Sequence, residues 1–419
     1  MLIAQNLPYP SFAGVDLRNW QNVNALMDIG DVGVFGLCSQ DPRVNGSPSG
    51  PVFYRCSTDP KLGYSPSADQ KLTRRPWLLE PLGHPSDTYF TDRAAAELTD
   101  LLIHFNPEVV ILEELWLHRY IDIVKAHPCE VILDCHNVEA SLSKEIGDLA
   151  CGNDLRSKLA GKILPERVRK IEQNAISKVD QIWVCSRIDA SLIESLYHPA
   201  APIHVVPNGI DLNYYARCER RPDAKTDSSL KRTKSILFPA MFAYPPNRRA
   251  AAFLIEDLFP RLIEMYPDAE LVLAGNWPTT EMLQVAAQEP RVHVTGPVPD
   301  MRPYLFAASA VVVPLFQGGG TRFKILEAFA AGVPVISTPK GAEGLEVEGE
   351  RDLLIAHNTQ EFIECLGRLW TSDLLVNQLK KNGMEVVRQN YSWDVVKRRV
   401  SLSVSSSAKS KELERRILC

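Results

Sequence analysis

The stretch Val311 to Gly332, VVVPLFQGGGTRFKILEAFAAG, decides how the rest of the chain is read. It opens with three β-branched apolar residues, the composition of a strand buried in a parallel sheet. Gly318, Gly319 and Gly320 follow, and then a helical pattern that puts Phe323, Leu326 and Ala330 on one face. Thr321 is placed to cap that helix, and Gly332 before Val333-Pro334 closes it. Strand, glycine turn and helix together aim unpaired backbone N–H groups and the positive helix end at an anion. Arg322 and Lys324 stand in the first turn, where the dipole disfavours cations; a bound phosphate would relieve that conflict. Glu327, three residues beyond Lys324, projects to the same side and suits a ribose hydroxyl. Glycine turns before helices and Lys–Glu surface pairs are both common, so spacing alone leaves an ordinary structural turn open.

The chain around this stretch has 419 residues, long for one domain and suited to two of about 200 each. Its 45% apolar and 23% charged residues can fill two cores, and a net charge of −5 argues against general nucleic-acid binding. Nine cysteines, scattered and never spaced as C-x-x-C, read as reduced thiols rather than disulfides or a zinc site. With no signal-peptide pattern and no apolar run of the ~20 residues that would span a bilayer, a cytosolic protein is expected, touching a membrane only peripherally, on its inner face.

In chain order, a strand at 1–7, a Pro/Ser/Gly turn ending at Gly14, a helix over 16–27 and a strand over 32–38 open a Rossmann-type half. Gly14 suits a turn or a close approach to ligand. Residues 39–70 lack periodicity and read as a long loop, functional or disordered. A helix is expected over 91–104, with strands over 109–112, 130–134, 181–185 and 203–206. His136 falls just after VILDC, at a strand end where parallel sheets bind ligands; the residues alone favour a structural, hydrogen-bonded histidine there. Residues 154–173 carry six Lys/Arg against three Asp/Glu, either a solvated helical face or a dock for anionic lipid, and Pro165 divides them into two helices. Residues 217–234 read as a polar connecting loop. Helices over 248–266 and 280–288 then alternate with strands at 235–239, 270–274, 292–295, 311–313 and 333–337. The last ~15 residues, with SVSSS and several lysines, suggest a frayed tail.

Residues 314–345, PLFQGGGTRFKILEAFAAGVPVISTPKGAEGL, resemble the donor-site segment of GT-B glycosyltransferases of family 4, in a subgroup with GGGTR-x-K. PYPSFAGVDLRNW at 8–20, LDCHNVEAS at 133–141, VVPNGID at 205–211, FAYPPNRRAAAFL at 242–254, VTGPVPDMRPYL at 294–305 and YSWDVVKRRV at 391–400 match in order. The resemblance implies an α/β GT-B fold with two Rossmann-like domains, their parallel sheets facing across a cleft. An acceptor-side domain, with the 39–70 loop acting as a mobile acceptor lid, would span 1–209 plus about 392–419, whose closing helix crosses back, and a donor domain 210–391. It implies retaining transfer of a hexosyl unit from a UDP- or GDP-sugar to a hydroxyl acceptor: a glycan, glycolipid or lipid-linked intermediate. Transfer would proceed by front-face attack, without a cofactor or metal, and the chain has no D-x-D motif. Carried over residue by residue, His136 would hydrogen-bond the sugar; Gly14 and Gly318 to Thr321 would line the diphosphate; Glu327 would hold the ribose. Arg248 and Glu343 are further donor-site candidates, and Pro299, Asp300 and Arg302 match the loop flanking the base. Two family positions differ. The first of two glutamates eight apart is Gly319, and an Arg/Lys pair is replaced by Met241 and Pro246. Arg322 and Lys324 are therefore expected to take over the diphosphate. A non-catalytic GT-B subunit that binds sugar nucleotide, or a sugar-nucleotide epimerase, are the rival readings.

Overall fold

Short apolar segments separated by helices build two parallel sheets. The computed structural model describes residues 1–9, 14–38, 48–62, 87–150, 155–216, 234–320 and 322–418, at 147–150, 155–162 and 406–418 as backbone only. The chain divides into one unit of 1–208 with 396–419 and another of 209–395.

In the first unit β1 (Leu2–Ala4), β2 (Gly33–Gly36), β3 (Phe53–Cys56), β4 (Val109–Glu113), β5 (Glu130–Cys135), β6 (Gln181–Val184) and β7 (Ile203–Val205) form one parallel sheet, ordered β3-β2-β1-β4-β5-β6-β7. Leu2 lies opposite Val34 on one side and Ile111 on the other. The two-residue period sorts side chains onto two buried faces. Ile3, Phe35, Leu112 and Leu133 pack on one. Leu2, Val34, Ile111, Ile132 and Trp183 pack on the other, where Val396 and Val400 of the last helix join them. In the second unit β8 (Lys234–Pro239), β9 (Ala269–Ala274), β10 (Val292–Gly296), β11 (Ala310–Val313), β12 (Val335–Ser337) and β13 (Leu354–Ile355) pair in parallel as β10-β9-β8-β11-β12-β13.

Each order reverses once, between β1 and β4 and between β8 and β11. Loops leaving neighbouring strands there part to opposite faces, and the crevice they leave at the carboxyl ends is where open α/β sheets take ligands.

Four expectations need correction. Residues 154–173 are not two helices: one helix runs Leu155–Ile176 with Pro165 inside it. Burial of Val168, Ile171, Ala175 and Ile176 outweighs the one backbone hydrogen bond proline removes. The 39–70 loop contains β3, a four-residue edge strand too short to show a period; its segments 39–47 and 63–70 lie outside the described residues. The tail is helical, within Trp393–Leu418, as a stretch rich in Lys, Glu, Arg and Leu without Gly or Pro favours. The helix after the glycine turn starts at Phe323, with Arg322 in the N-cap position and making no side-chain cap bond; Thr321 lies outside the described residues.

Candidate functional site

At the second unit's reversal point, the turn after β11 packs on the helix start after β8. Gly318 and Gly320 have φ of 103° and 81°, left-handed backbone that glycine adopts without strain. A Cβ on Gly318 would lie 3.0 Å from both Pro246 Cγ and Tyr244 Oη. Pro245 and Pro246 open the helix Pro245–Phe253, where proline's missing N–H costs nothing.

Lys324 reaches this junction from the helix Phe323–Ala330. Its Nζ donates to Asn247 Oδ1 at 2.9 Å and sits 4.4 Å from the centre of the Phe238 ring. Asn247 Nδ2 donates to Met241 O at 2.9 Å, which turns its oxygen toward the lysine. Burial, and then the neighbouring Arg322, lower the Lys324 pKa to about 7. Arg322 is itself buried, with Nη1 donating to Gly319 O at 2.6 Å and Nη2 to Gly318 O and, at 3.4 Å, to Lys340 O. A trans peptide points N–H opposite to C=O. With the Gly318 and Gly319 carbonyls turned onto Arg322, the N–H groups of Gly319 and Gly320 face the other way.

Glu327 accepts from Tyr215 Oη at 3.0 Å, and burial raises its pKa. Lys324 and Glu327 thus share a helix yet have separate partners. Arg248 is exposed in the first turn of its helix. Glu343 pairs with Lys340 at 2.5 Å. In the base-flanking loop, Arg302 stacks 3.8 Å over Tyr214 and binds both Asp300 oxygens, Nε to Oδ1 at 3.0 Å and Nη2 to Oδ2 at 2.7 Å. Asn247 and Tyr215 had no sequence signal of their own; each is found only through the side chain it meets.

The first unit carries a second polar cluster at its own reversal point. Gly14 opens the helix Gly14–Met27 after β1. Arg18 on that helix donates through Nε and Nη2 to both Asp134 oxygens, and through Nη1 to Val206 O (2.8 Å) and Asn208 Oδ1 (2.9 Å). Asn22 Nδ2 donates to Asp134 (2.8 Å) and Glu113 (3.1 Å). His136, 7% exposed, sets Nε2 2.9 Å from Glu113 Oε2 and Nδ1 3.7 Å from Glu114 Oε1. Glu114 holds φ 75°, a strained value for a side-chain-bearing residue. Burial, then the charge of Asp134, pushes Glu113 well above the usual carboxylate range. Burial alone would also raise Asp134, but Arg18 outweighs it and holds that carboxylate ionised. Burial lowers the pKa of His136 and raises Glu114 to about 7. The imidazole is therefore neutral at pH 7, one ring nitrogen donating and the other accepting. Glu113, Asp134 and His136 bring one ligand atom each within 4.8 Å, close enough for a cation. The Arg18 guanidinium already supplies the positive charge there.

Two family descriptions match the chain: "Glycosyl transferases group 1" over 233–372 and "Glycosyltransferase Family 4" over 56–214. A UDP-Gal:alpha-D-GlcNAc-diphosphoundecaprenol alpha-1,3-galactosyltransferase of Escherichia coli is 27% identical over 203 residues, 45% of this chain and 50% of that protein. The chain thus matches about half the length of that relative. Among solved structures, a sucrose-phosphate synthase from Thermosynechococcus elongatus superposes with TM-score 0.72 at 16% identity, covering 98% of this chain and 100% of that one. The Anabaena protein HepE, solved with UDP-glucose, superposes with TM-score 0.65 at 13% identity over 97% and 99% of the two chains. These likenesses establish the fold as GT-B, and with the family matches they support a glycosyltransferase of the family 4 type.

Proposed function

We propose that this chain, matched over its two halves by glycosyltransferase families, moves a hexosyl unit from a UDP-sugar to a hydroxyl acceptor with retention of configuration. The observation that carries the reading is Lys324, a half-buried ammonium at the reversal point of the second sheet, bonded to Asn247 of the helix start on which the Gly318 turn packs. A cation held where burial disfavours its charge gains most from an anion. A diphosphate there would take hydrogen bonds from the amides of Gly319 and Gly320 and from Lys324, with Arg322 keeping the turn in shape from behind. Such preorganised donors stabilise the charge that grows on a leaving diphosphate, about 3 kcal/mol for one well-placed group. Front-face attack then needs no protein nucleophile, since the leaving phosphate oxygen takes the acceptor's proton.

Glu327, oriented by Tyr215, is assigned to the ribose, and Gly14, Arg248 and Glu343 to the outer donor site. His136, neutral and fixed by Glu113, is assigned to hydrogen-bond the sugar. UDP is favoured over GDP because the galactosyltransferase relative uses UDP-Gal and HepE was solved with UDP-glucose. The same relative points to a lipid-linked glycan acceptor. No helix among the described residues is long and apolar enough to cross a membrane, so such an acceptor would be met by peripheral docking. The test is a thermal-shift screen of UDP- and GDP-sugars followed by transfer assays, with and without EDTA. Stabilisation by UDP-sugars and EDTA-resistant transfer are expected. UDP-sugar binding without turnover on any acceptor would favour the non-catalytic subunit instead.

A further inference from the structure

The ends of β2 and β3 carry two thiols in contact. Cys38 Sγ and Cys56 Sγ lie 2.7 Å apart, nearer than unbonded sulfurs pack and not far above the ~2.05 Å of an S–S bond. The register explains the meeting. Gly36 pairs with Cys56 across the two strands, and Cys38, two residues on, returns to the same face. No side chain at Gly36 keeps the sulfurs apart: a Cβ there would lie 3.2 Å from Cys56 Sγ, so that sulfur rests over the glycine. Ser57 N donates to Gly36 O at 2.8 Å, fixing the two strand ends to each other. Cys38 is 7% exposed and Cys56 half-buried, so Cys56 is the more accessible of the two.

We propose that Cys38 and Cys56 form a reversible, peroxide-driven disulfide that ties β2 to β3. The Cys56 thiolate attacks a hydroperoxide oxygen, breaking the O–O bond, giving a sulfenic acid and releasing hydroxide (water after protonation). The Cys38 thiol then attacks that sulfur, forming the S–S bond and expelling the sulfenic oxygen as water. In sum, two thiols and one hydrogen peroxide give one disulfide and two waters. A dithiol reductant reverses the step by thiol–disulfide exchange. The geometry sets this pair apart from Cys185, whose sulfur contacts the Cys135 and His136 carbonyl oxygens rather than another thiol.

The test treats the full-length reduced protein with hydrogen peroxide, blocks remaining thiols with N-ethylmaleimide and digests it with trypsin without reduction. Cleavage after Arg18, Arg43, Arg55 and Lys61 puts Cys38 and Cys56 alone in separate peptides, so a crosslinked pair identifies the bond. The expected result is that linked peptide, about 2 Da lighter than the two free ones together and lost on dithiothreitol treatment. In Cys38→Ser, dimedone should trap a sulfenic acid on Cys56. The proposal is overturned if both thiols remain alkylated after peroxide, if Cys56 proceeds to sulfinic acid without a bridge, or if either sulfur pairs with another cysteine.

Discussion

Replacing Lys324 with methionine should make the protein more stable and a worse nucleotide binder. Folding takes the ammonium from a pKa of 10.5 to about 7. Between those values the unfolded chain holds the extra proton, so the cost of this residue is full below pH 7 and fades as the pH rises toward 10.5. At roughly 1.4 kcal/mol per unit the cost is about 5 kcal/mol as an upper bound, and partial exposure brings it to ~2–3 kcal/mol. Methionine recovers that amount but loses the Phe238 contact and leaves Asn247 Oδ1 without its donor, together ~1–2 kcal/mol. The balance is a gain of about 1 kcal/mol, or ~2–4 °C in the melting temperature of a unit this size. The same change removes a charge-assisted bond to the diphosphate, ~2–3 kcal/mol, and should weaken UDP binding by about 30- to 150-fold. Differential scanning calorimetry of the free protein and titration calorimetry with UDP at pH 6.5 measure both. UDP affinity equal to wild type would refute the anion site, and a lower melting temperature would refute the burial cost.

Wild-type UDP affinity should fall as the pH rises from 7.5 to 9, by up to about tenfold per unit, because binding must then protonate Lys324; titrations in buffers of different ionisation enthalpy should show proton uptake. Gly318→Ala places a Cβ at φ 103° against Pro246 and Tyr244 and should cost ~1–3 kcal/mol in urea unfolding while weakening UDP binding. Asp134→Asn leaves the Arg18 guanidinium buried without its counter-charge and should cost ~3–5 kcal/mol; Arg18→Met in the same chain should restore much of it. Glu114, raised to about 7, makes the first unit lose stability as the pH rises from 4.5 to 7, since the folded state then holds the extra proton. Glu114→Gln should flatten that slope in urea melts taken at several pH values.

The two sheets were legible because apolar β-branched runs such as Val311–Val313 and Val109–Leu112 alternate with helical periods, and parallel strands buried on both faces need no polar alternation. β3 escaped because FYRC is four residues long at a sheet edge, with Arg55 turned to solvent. The glycine turn was visible from its spacing, but the job of Arg322 was not: sequence puts a cation beside an anion site, and only folding shows its guanidinium bound to the turn's own carbonyls. His136 was legible as a residue at a strand end, whereas its partner Glu113, and the Arg18 that holds the neighbouring Asp134, come from other elements 23 and 118 residues away, and pairings at that separation leave no local pattern.

Val396 and Val400 complete a face of the first sheet whose seven strands have all been synthesised by Val205. During translation that face stays only partly covered, by Val23, Ala25 and Leu26 of the helix Gly14–Met27, while nearly two hundred further residues are made. The emerging chain must therefore carry an unfinished apolar surface until its last helix leaves the ribosome, a window in which early termination would release a product prone to aggregate.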